Sequence, residues 1–281
     1  MTLKKTLTIA GSDTSGGAGI QADLKTFQEH GTYGMTALTT VVTMDPENNW
    51  HHNVHPLPID TLKAQLDTAL STGVDAIKTG MLGSVEIIET AAAAIDRSGV
   101  KNIVIDPVMV CKGEDEVLHP ETVGAMQEYL LPRATVVTPN LFEAAQLAGT
   151  RPIRTVADMK AAAQKIIDLG AKSVVIKGGK QLTHDEALDL FYDGSTFFIL
   201  EAEKADTTYT HGAGCTFAAA ITANLANGEE LKDAVENAKQ FVTSAIHHGW
   251  KLNQYVGPVM HGAFSRFEKK TIKEQAVKAT N

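Results

Sequence analysis

Short runs of β-branched and apolar residues alternate with longer amphipathic segments along most of this 281-residue chain. The segments between the short runs have the apolar spacing of helices, and several end in glycine, a common C-terminal helix residue. This alternation predicts an α/β fold with a central, mostly parallel β-sheet and helices on both faces. The predicted buried strands are 6–11, 37–44, 75–80, 102–108, 135–140 and 173–179.

The alternation stops in the last third of the chain. Two strand-like runs flank Asp193 and Gly194, which is typical of a β-hairpin. Two long helices are expected next, at about 214–227 and 231–248, and the charged tail, about 268–281, is expected to fray. No repeat, low-complexity tract or linker divides the sequence, so we expect a single domain over residues 1–281.

The composition argues against several classes of partner. A formal net charge of −8 does not suit nucleic acid or an anionic membrane as the main partner. The two cysteines lie far apart and form no disulfide framework, which is typical of a reducing compartment. The N-terminal apolar run is too short for a signal peptide, and no later segment has the length of a membrane span. We therefore expect a soluble cytoplasmic protein.

Glycine-rich and polar clusters follow several of the predicted strands. In open α/β sheets, ligands bind beyond the carboxyl ends of the strands, so these clusters contain the candidate site residues. The first is GSDTSGGAGIQADL (11–24), whose glycines would let a ligand approach the backbone closely. It lacks the Gly-Lys-Ser/Thr ending of a phosphate loop, and a tight turn with Asp13 or Ser15 as helix cap fits equally well.

The second cluster, HGAGCTFAAAI (211–221), is a glycine-rich loop that leads directly into an apolar helix. Gly212 and Gly214 would let backbone amides point at an oxygen anion, and the helix dipole would add positive potential there. This arrangement suits phosphoryl transfer, in which catalysis is mostly positioning and electrostatics. At a helix start, Cys215 should have a lowered pKa, so that its thiolate could accept a proton from an attacking hydroxyl group. The alternative is a small buried hydrophobic residue, which is how most free cysteines behave.

The third cluster, TPNLFEA (138–144), ends a predicted strand and begins a helix. Asn140 and Glu143 fall in the first turn of that helix. A carboxylate near phosphate groups would suit Mg²⁺, which binds one or two carboxylates together with water and substrate oxygens. Without other evidence, the simpler interpretation is a helix cap, with Asn140 as N-cap and Glu143 as the acid three residues later.

Two further clusters follow predicted strands. In VIKGGK, Lys177 and Lys180 flank a glycine pair that could hold the phosphates or ribose of a nucleotide, or could form an ordinary turn. The polar, irregular segment DPVMVCKGEDEVLHP (106–120) is expected to form a mobile lid at about 108–119, which carries Cys111.

Some conspicuous residues favour no particular chemistry. WHHNVH (50–55) contains three histidines without a nearby carboxylate or cysteine, and a solvated loop is favoured there over a zinc site. Met44 and Met81 could be core residues or the wall of an apolar pocket.

Taken together, these motifs resemble those of the ribokinase-like superfamily. The resemblance is to the branch that contains the hydroxymethylpyrimidine (phosphate) kinases and the bacterial pyridoxal kinases. It covers nearly the whole chain, in the order TIAGSDTSGGAGIQADLKTF, KTGM, DPVM, TPN, IKGG and THGAGCTFAAAI. The resemblance implies ATP with Mg²⁺ as phosphoryl donor and, commonly, a homodimer. Most of the superfamily has an aspartate base after the Gly-x-Gly loop, whereas this branch has a cysteine, which corresponds to Cys215.

The resemblance also implies roles for individual residues. The substrate pocket would be lined by Ala18, Asp23, Val42, Met81 and Val108. Of these, Asp23 would bond the polar groups of a heteroaromatic ring. The nucleotide would be held by Asn140, Lys177, Gly178, Gly179, Asp189, Gly214 and Lys239. Glu143 would act at the metal, and the backbone amides from Gly212 to Cys215 would form the anion hole.

The chain departs from the pyrimidine kinases at one substrate position. Those kinases typically read TAQNT after the second strand, with the glutamine facing the aminopyrimidine, whereas this chain reads TMDPENN. Met44 in place of the glutamine removes two hydrogen bonds to the exocyclic amine, and sites built on such bonds discriminate strongly. Met44 therefore favours a pyridine substrate, as in the pyridoxal kinases of this branch.

The expected activity is ATP-dependent phosphorylation of the 5′-hydroxymethyl group of pyridoxal, pyridoxine and pyridoxamine. Two alternatives remain: a hydroxymethylpyrimidine (phosphate) kinase of thiamine synthesis, and a nonenzymatic carrier of pyridoxal phosphate. A carrier would need neither the anion hole nor Glu143. A thiolate adds reversibly to an aldehyde, so Cys215 could contact both the reactive end of pyridoxal and the proton in transit, with Cys111 assisting.

Overall fold

The computed structural model describes residues 2–109, 120–179 and 182–268, and these residues form one nine-stranded sheet between two layers of helices. Cys111, Lys180, most of the predicted lid (110–119) and the tail (269–281) lie outside the described residues. The strands are β1 (Lys5–Asp13), β2 (Tyr33–Asp45), β3 (His51–Pro56), β4 (Ala76–Thr79), β5 (Asn102–Ile105), β6 (Val136–Val137), β7 (Val174–Lys177), β8 (Ala187–Tyr192) and β9 (Phe197–Ala202).

The sheet has the order β3-β2-β1-β4-β5-β6-β7-β8-β9. The six strands from β2 to β7 pair in parallel, and antiparallel strands close both ends. The predicted mostly parallel α/β sheet is confirmed, and β8 and β9 are the expected hairpin around Asp193 and Gly194. The expectation of a loop at 50–55 is wrong. These residues form the exposed strand β3, because their backbone extends the edge of the sheet through pairs such as Met44 with His52.

Helices follow most of the strands. The two long helices predicted near the end of the chain are confirmed to within one residue. None of the helices in the described ranges combines the length and the apolar character that a membrane crossing requires. The helices are α1 (Gly19–Glu29), α2 (Ile59–Ser71), α3 (Val85–Ser98), α4 (Pro120–Ala125), α5 (Leu141–Ala148), α6 (Val156–Asp168), α7 (Ala213–Ala226) and α8 (Leu231–His247), with helical turns at Met126–Leu130, Leu131–Arg133 and Phe264–Glu268.

The two faces of the sheet are buried against different helices. Strand β5 shows this alternation, because Ile103 and Ile105 join the core under α2, α3, α5 and α6, whereas Val104 joins the core under α7 and α8. Successive side chains on a strand point to opposite faces, so a strand covered on both sides is apolar throughout. Helix α7 is buried along almost its whole length between the sheet, α1 and α8. This burial fixes the start of α7 against the carboxyl ends of the central strands.

Candidate active site

The carboxyl ends of the parallel strands open onto a cavity of about 990 Å³. Residues distant in sequence meet there, as the position of the predicted clusters at strand ends requires. Asp23 is the one described site residue that does not line the cavity. The predicted site residues that do so are Ala18, Val42, Met44, Met81, Val108, Asn140, Glu143, Lys177, Gly178, Gly179, Asp189, Gly212, Gly214, Cys215 and Lys239.

The predicted contact between Asp23 and the substrate ring needs correction. The Asp23 side chain is fully buried, with both carboxylate oxygens occupied. Lys78 Nζ lies 3.0 and 2.9 Å from the two oxygens, and the Thr8 hydroxyl donates to one of them at 2.6 Å. Asp23 therefore acts behind the cavity wall, and Lys78, which the sequence analysis did not single out, lines the cavity in its place.

The loop after β1 and the loop before α7 are locked together. Gly212 has a left-handed backbone (φ +82°), and a Cβ atom there would lie 1.8 Å from the carbonyl oxygen of Gly17. Beside this contact, Nε2 of His211 lies 2.6 Å from Oδ2 of Asp13. Burial alone would raise the pKa of Asp13, but hydrogen bonds with His211 and Ser15 hold it well below its usual range. The sequence analysis missed the bond between Asp13 and His211, because 198 residues separate the two partners.

The start of α7 presents backbone amides to the cavity. Gly212 is the N-cap residue, and the amide of Ala213 donates to the carbonyl of Thr210 at 3.2 Å. The amides of Gly214 and Cys215 donate to no described residue, and both residues line the cavity. Since the first amides of a helix have no partner within it, these two amides can bind an anion. The structure narrows the predicted anion hole to this pair, together with the dipole of α7.

The prediction of a lowered thiol pKa for Cys215 is wrong. Burial raises the pKa of this half-buried thiol to about 11. The positive charge of Lys78 and the amide of Gly19 oppose this rise, but the carboxylates of Asp23 and Asp106 add to it. The helix start alone therefore does not make Cys215 a thiolate at neutral pH, and its ability to accept a proton depends on the charges around it.

Glu143 and Asn140 form a complete capping box at the start of α5, so the helix-cap interpretation is correct. The Asn140 amide donates to Glu143 Oε2 at 2.8 Å, and the Glu143 amide donates to Asn140 Oδ1 at 2.9 Å. Burial, together with the nearby Asp106, raises the pKa of Glu143 to about 7, although the charge of Lys177 opposes this rise. Lys177 Nζ lies 3.4 Å from Oδ1 of Asp106.

This arrangement fits Mg²⁺ chemistry. Among the described residues, no three metal-ligating side chains cluster closely enough to enclose an ion. A single buried carboxylate beside a second one is the donor set that Mg²⁺ uses when phosphate and water oxygens complete its shell. The raised pKa of Glu143 has a matching physical meaning, because a cation at this carboxylate would relieve the repulsion from Asp106.

Asp189 and Lys239 shape the turn that follows β7. Asp189 accepts a hydrogen bond from the Gly178 amide at 3.0 Å and one from Lys239 Nζ at 2.8 Å. Lys239 also donates to the carbonyl of Ala187 at 2.9 Å. The polar atoms of both side chains are therefore engaged with each other and with the backbone. Both residues line the cavity, where they fix the position of the predicted nucleotide-binding turn.

The opposite end of the cavity is apolar. Ala18, Val42, Met44, Met81 and Val108 all contribute to its lining. From β3, His52 joins this lining, a residue that the sequence analysis assigned to a solvated loop. An apolar wall with a few polar groups at one end is typical of a pocket for a flat heteroaromatic ring.

A parallel sheet that carries a helix-start anion site, a buried carboxylate and a facing lysine at its carboxyl edge defines a kinase of the ribokinase-like α/β class. The comparison with known proteins narrows this class. The chain belongs to the phosphomethylpyrimidine kinase family, whose sequence profile matches residues 13–260.

Curated relatives separate two activities within this branch. A putative pyridoxine kinase of Staphylococcus aureus is 61% identical over 95% of this chain and 97% of its own length. A pyridoxine kinase of Bacillus subtilis is 60% identical over 94% of this chain and 97% of its own. The hydroxymethylpyrimidine/phosphomethylpyrimidine kinase of B. subtilis is more distant, at 43% identity over 95% of this chain and 97% of its own.

Solved structures of pyridoxal kinases are also similar to this chain. The ADP complex of B. subtilis pyridoxal kinase superimposes with a TM-score of 0.91 at 60% identity, covering 94% of this chain and 99% of that one. The S. aureus pyridoxal kinase in complex with AMP-PCP and pyridoxal gives 0.91 at 58% identity, covering 95% and 96%. The resemblance inferred from the motifs is thereby confirmed.

Proposed function

We propose that this chain is an ATP-dependent kinase that phosphorylates the 5′-hydroxymethyl group of pyridoxal, pyridoxine and pyridoxamine in vitamin B6 salvage. The observation that carries this proposal is the single cavity that joins an apolar ring pocket to the anion site at the start of α7. Met44 lies in the wall of that pocket, where the pyrimidine kinases typically have a glutamine. Relatives named pyridoxine kinases at about 60% identity support the same substrate.

In this proposal, the cavity residues divide the work of phosphoryl transfer. The apolar end holds the pyridine ring, so that the hydroxymethyl group points toward Cys215. The amides of Gly214 and Cys215 stabilise the negative charge that develops on the transferred phosphoryl group. Lys177 lies beside Asp106 and Glu143, where it would neutralise nucleotide phosphates.

Glu143 would hold Mg²⁺, which when bound neutralises the charge of the phosphates during transfer. Its carboxylate is held in place by backbone hydrogen bonds from the Asn140 and Met109 amides. Asp189 and Lys239 would keep the Gly178 turn in place beneath the nucleotide. Lys180, which lies outside the described residues, is also proposed to contribute to nucleotide binding.

Cys215 is proposed to accept the proton of the substrate hydroxyl group as that group attacks phosphorus. At its raised pKa, only a small fraction of Cys215 is thiolate at neutral pH, even with the favourable charge of Lys78 included. Cys111, which lies outside the described residues, is proposed to assist Cys215.

The decisive experiment is ATP- and Mg²⁺-dependent phosphorylation of pyridoxal, pyridoxine and hydroxymethylpyrimidine by the purified protein, followed as ADP release and as phosphorylated product. The expected result is a preference for the B6 vitamers. A preference for the pyrimidine would instead assign the chain to thiamine synthesis. Binding of pyridoxal phosphate without ATP consumption would identify a carrier.

We also propose that the protein is a homodimer in the cytoplasm. The resemblance to a commonly dimeric branch supports the dimer, and the low cysteine content supports a reducing compartment. Light scattering on the purified protein should give twice the chain mass of 30.0 kDa. A mass equal to that of one chain would exclude the dimer.

A further inference from the structure

Lys78 is a buried charge that the proposed mechanism does not yet use. The residue lies on β4, and its side chain has no exposed surface. Lysine is almost never fully buried unless it is paired, since removing an ammonium group from water is costly. Most buried ion pairs could be replaced by apolar residues without loss of stability, so a structural explanation alone is weak.

The geometry leaves part of the Lys78 ammonium group free. Two of its three N–H donors bond the two oxygens of Asp23, and Asp23 is held in turn by Thr8. The hydrogen bonds of the described residues leave the third donor unused. Nζ lies against Gly80, where an added Cβ atom would approach it to 2.9 Å. Lys78 and Cys215 both contribute to the wall of the same cavity, although the Lys78 side chain has no exposed surface.

Two lysines and two aspartates act electrostatically on the Cys215 thiol. Lys78 and Lys177 favour its thiolate, whereas Asp23 and Asp106 disfavour it. Burial would lower the pKa of Lys78, but the charges of Asp23, Cys215 and Asp106 outweigh burial and keep its pKa above the usual range. Lys78 is therefore charged throughout the working pH range, and it is the largest favourable charge acting on the thiol.

We propose that Lys78, held in place by Asp23 and Thr8, is a positioning residue that stabilises the thiolate form of Cys215 for proton transfer. The hydroxyl oxygen of the substrate forms a bond to the γ-phosphorus, and its proton passes to Cys215 Sγ. The bond from the γ-phosphorus to the bridging oxygen breaks, and ADP leaves with that electron pair. This inference rests on the proposed role of Cys215 as the base.

The test measures the reactivity of Cys215 directly and needs no turnover. In a Cys111→Ala background, Cys215 is the only thiol, and its alkylation by iodoacetamide is followed between pH 7.5 and 9.5. The double variant Lys78→Met with Asp23→Leu removes the charge without leaving an unpaired buried carboxylate. We expect its alkylation to be at least tenfold slower at each pH, which corresponds to a rise of one unit in the thiol pKa.

The single variant Asp23→Asn retains Lys78 and removes an opposing charge, while its amide oxygen can still accept a hydrogen bond from Lys78, so alkylation should become faster. A purely structural role would change both variants in the same direction. The matched control is Lys239→Met with Asp189→Leu, a second buried lysine–aspartate pair at the same cavity, which should leave Cys215 alkylation unchanged. Circular dichroism and thermal melts confirm that each variant is folded.

Equal alkylation of the folded Lys78 double variant and its parent would overturn the proposal, as would slower alkylation in both the double variant and Asp23→Asn. Turnover separates this inference from the role on which it rests. If Cys215→Ala retains turnover, Cys215 is not the base, even if the rate of Cys215 alkylation depends on Lys78. If both hold, kcat of the Lys78 double variant falls at least tenfold, the KM for ATP stays within threefold, and the ascending limb of the pH profile, which reports ionisation of the base, moves to higher pH.

Discussion

Gly17, in the loop after β1, and Gly212, at the start of α7, are in close contact. This contact predicts a large effect from a small substitution, Gly212→Ala. The added methyl group would lie 1.8 Å from the carbonyl oxygen of Gly17, whereas real Cβ contacts essentially never fall below 3.0 Å. Neither partner is the end of a flexible side chain. One of the two loops must therefore move by at least about 1.2 Å, and the amides of Gly214 and Cys215 move with it.

Two costs can be separated for this variant. The left-handed backbone of residue 212 costs alanine about 1–2 kcal/mol, which lowers the melting temperature of a domain this large by about 2–8 °C. The displacement of the anion site adds a loss of activity, because a misplacement of about 1 Å can reduce turnover about 100-fold. Such a reduction corresponds to about 2.7 kcal/mol of transition-state stabilisation.

Gly228 offers a matched control at the other end of α7. It has a similar left-handed backbone (φ +92°), but an added Cβ atom would meet nothing within 4 Å. The helix is 14 residues long, so this control lies about 20 Å from the anion site. Gly228→Ala should lose only the melting temperature that the backbone strain accounts for, and its kcat should equal that of the wild type.

The assay is steady-state phosphorylation of pyridoxal with saturating ATP, paired with thermal melts of both variants. We expect kcat of Gly212→Ala to fall about 100-fold below that of Gly228→Ala. If the two variants retain kcat within threefold of each other, the contact between Gly17 and Gly212 does not position the anion site, and the prediction is refuted.

Three further predictions concern single side chains. Met44→Gln should raise kcat/KM for hydroxymethylpyrimidine relative to pyridoxal by about tenfold or more, since it restores an amide to the pocket; an unchanged ratio in a substrate panel would show that residue 44 does not choose the ring. Cys215→Ala should lower turnover at least about 100-fold, whereas near-normal turnover would exclude it as the base, and wild-type turnover of Cys111→Ala would make that thiol incidental. Because the folded protein holds a proton on Glu143 up to about pH 7, whereas an ordinary glutamate releases it near 4.5, wild type should lose stability relative to Glu143→Gln as the pH rises between these values. In urea unfolding, the free energy of unfolding should fall between pH 5 and pH 8 by roughly 3 kcal/mol more in wild type than in Glu143→Gln. Burial lowers the pKa of His261 to about 4, which has the opposite effect on stability, but this effect is common to both proteins and cancels. An equal pH dependence of the two proteins would contradict the prediction.

Periodicity and strand-end motifs predicted most of the fold. The helices at 214–227 and 231–248, the hairpin at Asp193 and Gly194 and the parallel sheet are all governed by local patterns, and all were found. Strand β3 (His51–Pro56) was missed because all of its residues except the half-buried His52 are exposed, so their sequence has no apolar alternation to detect. Only backbone pairing with β2 makes this segment a strand.

The site was predictable wherever a motif and a strand end coincide, as at Asn140, Lys177 and Cys215. Its electrostatics were not predictable, because they depend on residues that approach from elsewhere in the chain. The burial of Asp23 against Lys78 and the raised pKa of Cys215 both arise from such neighbours. A lysine in the middle of a segment predicted to be a buried strand, 75–80, was the available signal for this pair.

The 198 residues between Asp13 and His211 also bear on when the protein acquires its chemistry. At about 5–20 residues per second, a ribosome needs roughly 10–40 s to add the second partner after the first. Once residue 108 has been added, the nascent chain contains all the residues of the apolar ring pocket, while it still has no helix start to hold a phosphoryl group. A translation product that stops before residue 211 therefore lacks the anion site and does not turn over ATP. The last quarter of the chain completes the active site.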